Sequence, residues 1–286
     1  MALRSYLRTS FDPRRIPGLH SWWDAADSAS VTLDSGRVSQ LSDKSGNGRH
    51  LTNTTSGSTQ PSYITAGRNG LNVARFAAAS VQRLSVPSST ATYTFLHNGT
   101  ASWIAAVSSY GTISDPKSIY ALFGNNGNSS SNVGIVFNYD DRVIGGTYSA
   151  NNGLVVLCTD GSSNSVNNAI RTLNATSSGI TAAYDNIFTP NLLVVQESVI
   201  HASNATASQR LRVRLNGGAE IAANPNSGTP SASNATFNLQ VGNDGNNSAP
   251  LEGDICELMF FSQQPTAAAR DLIRRYLGAK WGVALA

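Results

Sequence analysis

The chain has 286 residues, 40% of them apolar and 13% charged, with 20 Lys and Arg against 17 Asp and Glu for a net charge of +3. The apolar share supports a sizeable core and excludes a disordered chain. The mild, unclustered charge excludes a nucleic-acid partner.

The basic start Met1-Ala2-Leu3-Arg4-Ser5-Tyr6-Leu7-Arg8 has no apolar segment behind it, so no signal peptide is read. No run approaches the ~18 apolar residues of a membrane span, so no membrane insertion is expected. Residues 1–15 interleave arginines with apolar side chains and end in the turn signal Asp12-Pro13. They read either as a frayed terminus or as an arm whose Arg4, Tyr6, Leu7, Arg8 and Phe11 anchor the chain to a partner. Residues 16–286 form the single domain behind it.

Strands are predicted near 38–42, 71–76, 83–86, 102–108, 119–124, 133–139, 142–148, 154–158, 192–200, 210–215, 237–242 and 254–261, separated by turn signals. Many short strands without intervening helices point to an all-β fold. Val133-Gly134-Ile135-Val136-Phe137 is continuously apolar and reads as a central strand. The Asn-, Ser- and Gly-rich stretches near 125–132, 162–168, 224–234 and 242–248 read as loops.

Arg210-Leu211-Arg212-Val213-Arg214-Leu215 alternates strictly. Period two sets Leu211, Val213 and Leu215 on the core face and the arginines on the other. That row is either a solvated sheet face or a strip that binds an anionic glycan or an acidic neighbour, because Arg holds carboxylates bidentately. One helix is predicted after Pro265, where Leu272, Ile273, Tyr276, Leu277 and Trp281 make one apolar stripe.

Chemical motifs are sparse. Cys158 and Cys256 sit in apolar runs and are either free buried thiols or one disulfide. They and the four histidines do not make a zinc cage. Glycan hydrolysis needs two carboxylates roughly 5–10 Å apart. Asp254 and Glu257 would face opposite sides of a regular strand, and Asp140-Asp141 sit in a turn. No nucleophile elbow accompanies the scattered His20, His50, His97 and His201. Asp43-x-Ser45-x-Asn47-Gly48 imitates the first half of a calcium loop, but Thr54 stands where the bidentate Glu belongs. Asp43, Ser45 and Asn47 are therefore either weak calcium ligands or members of an Asx-type turn. Trp22 and Trp23 are adjacent, so at most one faces inward on a strand, while a short turn or helix would bury both; they read as core-builders more than sugar platforms.

The ends of the chain carry a signature: Pro17-Gly18-Leu19 with Trp23-Asp24-Ala25-Ala26-Asp27, then Asp43-Lys44-Ser45-Gly46-Asn47-Gly48, Arg75-Phe76, Leu84-Ser85-Val86, Gly253-Asp254-Ile255-Cys256-Glu257 and Tyr276-Leu277-Gly278-Ala279-Lys280-Trp281-Gly282. These resemble the concanavalin A-like, laminin-G-like jelly-roll modules of phage and bacterial surface proteins. The usual Gly- and Asp-bearing turn after the Arg-Phe strand is replaced by Ala77-Ala78-Ala79-Ser80. The resemblance implies a concanavalin A-like jelly-roll sandwich of two antiparallel sheets with one C-terminal amphipathic helix. With no signal peptide read, it leads to the expectation of a non-enzymatic phage virion structural protein, a capsid decoration or tail component made in the host cytoplasm and displayed on the virion surface. Its expected partners are other virion proteins, further copies of itself and host surface polysaccharide, and no cofactor beyond the weak calcium loop. The alternatives are a dedicated carbohydrate-binding module and, after it, a glycan hydrolase.

Overall fold

The computed structural model describes residues 11–89, 91–96, 101–110, 133–139, 153–161, 165–173, 180–184, 193–201, 203–222, 238–243, 251 and 253–286. In chain order the strands are β1 (Leu19–Asp24), β2 (Val31–Asp34), β3 (Arg37–Leu41), β4 (Leu51–Thr52), β5 (Ser62–Arg68), β6 (Leu71–Phe76), β7 (Leu84–Ser85), β8 (Ser102–Tyr110) and β9 (Val133–Tyr139). They continue with β10 (Gly153–Gly161), β11 (Ser165–Leu173), β12 (Ile180–Tyr184), β13 (Leu193–Ile200), β14 (Leu211–Leu215), β15 (Ile221–Ala222), β16 (Gln240–Val241) and β17 (Gly253–Phe261). One α-helix, α1 (Ala267–Trp281), follows. Among the described residues the fold is all-β in class with a single C-terminal helix, and every described ladder is antiparallel.

The ladders fall into two runs. One runs β15-β14-β13-β8-β17, and β17 continues onto β6 at its start and β1 at its end. The other runs β12-β11-β10-β9-β16-β7-β4-β3-β2. β5 links them, pairing β6 along its length and β3 at Arg37 and Ser62. The predicted central strand is β9, flanked on both sides by β10 and β16.

Alternation along the strands builds two apolar clusters. Trp23, Ile104, Ala106, Leu258 and Phe260 join Val38, Leu41, Leu51, Leu84 and Val241 of the second run in one cluster. The intervening residues Trp22, Trp103, Ala105, Val107, Met259 and Phe261 form another with Ile273, Tyr276, Leu277 and Trp281 of α1. β1, β8 and β17 are thus buried on both faces, which explains why Trp22 and Trp23 are both core residues. Leu272 departs from the predicted stripe: at 43% exposure it lies outside the contact.

α1 starts where Thr266 accepts a hydrogen bond from the Ala269 amide at 3.2 Å. It ends on Gly282, whose φ of 72° closes the helix in the left-handed conformation that glycine adopts without strain. Pro265 precedes the cap instead of opening the first turn. The loop expected at 162–168 is partly strand, since β11 begins at Ser165, where its first residues pair with the end of β10. Cys256 is a free, buried thiol. The strands predicted at 119–124 and 142–148, the loops at 125–132 and 224–234 and most of 242–248, and the anchor residues Arg4, Tyr6, Leu7 and Arg8 lie outside the described residues. Among the described residues no helix is long and apolar enough to cross a membrane.

Candidate functional site

The terminal motifs converge on a buried ionic cluster beneath α1. A bulge between Ile255 and Glu257 turns two successive residues of β17 toward the helix. This corrects the regular-strand expectation: Asp254 pairs Arg75 and Glu257 pairs Asp24 on the helix-facing side, so both acids share one face. The Glu257 carboxylate accepts from Trp22 Nε1 at 2.8 Å, Trp281 Nε1 at 2.8 Å, Tyr276 OH at 3.1 Å and Lys280 Nζ at 2.8 Å. Lys280 also reaches Asp24 at 2.7 Å, and Lys44 bridges Asp24 at 3.0 Å and Asp27 at 2.7 Å. Burial pushes the Glu257 carboxyl up, the Asp24 carboxylate adds to it, and Lys280 and Trp281 work against both. Asp254 is different. Burial would raise it, but hydrogen bonds from Arg75 at 2.7 Å and Arg68 at 2.6 Å outweigh burial and hold it below the usual range. These acids have their oxygens engaged in tying chain ends and strands together.

The Asp43 loop is a tight turn with both carboxylate oxygens used. Oδ1 accepts from the amides of Trp22 and Ser45, each at 2.9 Å, and Oδ2 from Ser45 Oγ at 2.8 Å and the Arg49 amide at 3.0 Å. Asn47 turns its amide onto the carbonyl of His20 at 3.0 Å. Donors, not further oxygens, face Asp43, which is the environment of an Asx turn and not of a cation. His20, next to this loop, is nearly buried against Tyr93 and Phe95, with Nδ1 3.0 Å from Ser21 Oγ. Burial, then the Arg49 charge, lowers its pKa to about 4.

The Arg row splits. Arg210 precedes β14 and donates to the Asn204 carbonyl at 2.9 Å. Arg212 and Arg214 lie together on the helix side, near Glu220 and Arg270. Phe11 of the predicted anchor packs on Tyr276 of α1, with ring centroids 5.2 Å apart.

A cleft that sequence reasoning passed over opens between the β4–β5 and β6–β7 connections. It has a volume of about 120 Å³ and is lined by Asn53, Thr55, Thr59, Val81 and Arg83. Asn53 pins its wall. The side-chain amide donates to the Thr59 carbonyl at 2.9 Å and the Arg83 carbonyl at 3.0 Å, and its oxygen accepts from the Thr55 amide at 2.9 Å. Gln60, which is buried, adds a bond to the Asn53 carbonyl at 2.9 Å, while its own Oε1 has no partner among the described residues. Across the cleft Val81 is exposed with φ 51°. For a β-branched residue that conformation is a strained outlier, and such strain gathers at ligand sites. The polar run Asn53-Thr54-Thr55-Ser56-Gly57-Ser58-Thr59 was the available signal, but nothing in it distinguishes a cleft wall from an ordinary loop.

No protein-family model matches the chain, and no curated protein matches it in sequence. Solved structures do. A GH54 α-L-arabinofuranosidase soaked with a cyclic sulfate inhibitor is 14% identical, with 95% of this chain and 61% of that chain covered, at a TM-score of 0.50. Domain 4 of a GH43 extracellular arabinanase from Geobacillus stearothermophilus, in complex with arabinotriose, is 13% identical over 90% of this chain and 99% of that one, at 0.46. A Trypanosoma rangeli sialidase is 10% identical over 96% and 36%, at 0.47. The chain spans about three fifths of the length of the arabinofuranosidase chains it matches. What is shared at this identity is the fold. That fold is carried by an arabinofuranosidase, which overturns the expectation of a non-enzymatic phage virion structural protein and, with it, the expectation that the chain is no enzyme.

Proposed function

We propose that this chain is a glycan-directed module of the concanavalin A-like jelly-roll sandwich type, which holds a sugar unit in the cleft between Thr59 and Val81. The observation that carries the reading is the pairing of a rigid polar wall with one strained, exposed apolar residue. The exposed Thr55 hydroxyl can donate and accept, as sugar hydroxyls do, and the Thr59 hydroxyl, which donates to the Thr55 carbonyl at 3.3 Å, adds a further acceptor oxygen. The Val81 isopropyl group offers an apolar surface for the C–H face of a sugar ring. At about 120 Å³ the cleft is well below the ~300–1,000 Å³ of sites that enclose drug-sized ligands. It accommodates the end or edge of one sugar unit, so affinity is low per site and gains from repeated engagement.

The two ladder runs with an apolar cluster between them support the sandwich assignment, and the fold shared with an arabinofuranosidase supports the glycan direction. Arabino-oligosaccharides are therefore the first probes. Nuclear magnetic resonance titration of the full chain with arabinotriose should shift the amides of Thr55, Thr59 and Arg83. Shifts confined to other regions would remove the cleft from the account. Following reducing-end release in the same samples tests whether bound glycan is also cleaved.

A further inference from the structure

On the helix side of β14, three arginines meet one carboxylate. Glu220 takes Arg212 Nη1 at 3.0 Å on Oε1, and faces Arg270 Nη1 at 3.4 Å and Arg214 Nη2 at 3.8 Å on Oε2. The last distance is too long for a hydrogen bond. Arg212 also donates to Gln264 Oε1 at 3.2 Å. The Nε atoms of Arg212, Arg214 and Arg270 are all buried without an acceptor among the described residues. A buried donor left without a partner is destabilising, more so when charged, so three in one cluster call for an explanation.

The neighbouring arginines show what a closed arrangement looks like. Arg274 is held by both Glu197 and Asp271, and Arg275 by Asp271 at 2.7 Å. Around Glu220, by contrast, three positive charges share one negative charge. The cluster is not sealed: the side chains of Arg214 and Glu220 keep 26% and 22% of their exposure. Arg270 also lies in the first turns of α1, whose amino-terminal end favours negative charge.

We infer that Arg212, Arg214 and Arg270 form an oxyanion site, which takes the carboxylate of an acidic sugar or a free oxyanion of the same geometry. The planar guanidinium fork matches a carboxylate or sulfate edge. Glu220 acts as the internal competitor that keeps the arginines gathered when no anion is bound. The inference stands apart from the neutral-sugar reading of the Val81 cleft, which lies at other connections of the fold.

The test is calorimetric titration of the full chain at low ionic strength with sodium glucuronate, sodium sulfate and glucose. Glucuronate or sulfate should bind and glucose should not compete. Binding of sulfate alone would identify a free oxyanion as the ligand, and binding of both would admit an acidic sugar. Arg214→Gln should weaken the anion about tenfold, the loss of one charge-assisted contact. Glu220→Gln should tighten it by a similar factor, an effect that a purely structural role for Glu220 does not produce. If neither the parent nor Glu220→Gln binds either anion, or if Arg214→Gln leaves the affinity unchanged, the inference is overturned.

Discussion

The buried cluster under α1 and the cleft beside Val81 are both polar, but they are built on opposite terms. Under α1 each acid has lysine, arginine, indole or hydroxyl partners, and Trp22 and Trp281 direct their N–H groups onto Glu257. At the cleft the Thr55 and Val81 side chains are exposed, and the backbone at Val81 is held in a conformation it does not favour. The polar groups of the first region hold the chain ends together; in the second, Asn53 fixes the wall and leaves Thr55 and Val81 exposed beside it. A terminal motif dense in Trp and Asp is thus a closure, and the proposed site lies where the sequence looks least distinctive.

Breaking the cluster should give the largest effect. Lys280→Met removes the cation shared by Asp24 and Glu257 and leaves two buried carboxylates short of a partner. Stability should fall by about 3–5 kcal/mol in urea denaturation, the range for an orphaned buried charge. Arabinotriose binding measured well below the transition should persist, because the cleft does not use Lys280.

Acid should act next, through His20. Burial and the charge of Arg49 hold its folded-state pKa at about 4, below the ~6.5 of an unfolded chain. The unfolded chain therefore takes the proton first. Stability is complete above about pH 6.5 and declines as pH falls toward 4, by roughly 2–3 kcal/mol. Asp254 acts in a lower window: its depressed pKa gives stability that is present above about pH 4 and lost as pH falls further. Thermal melts between pH 7 and 4.5 should show the decline in the parent and a flatter profile in His20→Gln.

The cleft should respond in the opposite sense. Val81→Gly relieves the left-handed strain and should raise stability by up to about 1 kcal/mol in the same denaturation assay. It should also weaken arabinotriose binding, because the apolar wall is gone. Thr59→Ala should leave stability within ~0.5 kcal/mol and reduce binding only a few-fold, the share of one neutral hydrogen bond.

Much of the fold could be read before the structure. The run 71–76 coincides with β6, and the alternation after Arg210 and the apolar stripe at Ile273, Tyr276, Leu277 and Trp281 are where expected. Period and turn residues carry that information locally. What could not be read is two-sided burial: at most one of Trp22 and Trp23 was expected to face inward on a strand, whereas β1 and β17 serve two apolar clusters, and the bulge before Glu257 exchanges faces without leaving a mark in the sequence. The cleft was illegible for a related reason. Asn53 meets Arg83 only through folding, and a left-handed Val81 is set by the loops around it, not by its own preference.

The central claim is that the cleft between Thr59 and Val81 binds a sugar unit, and Val81→Asp tests it most directly. The substitution places a charged group where the apolar face of the ring should lie, and Asp accepts the left-handed backbone more readily than Val. Titration of the parent and the variant with arabinotriose, with melting temperatures measured alongside, should show saturable binding in the parent and its loss in a variant that melts no lower. Equal binding by the two proteins, or none by the parent, would contradict the account.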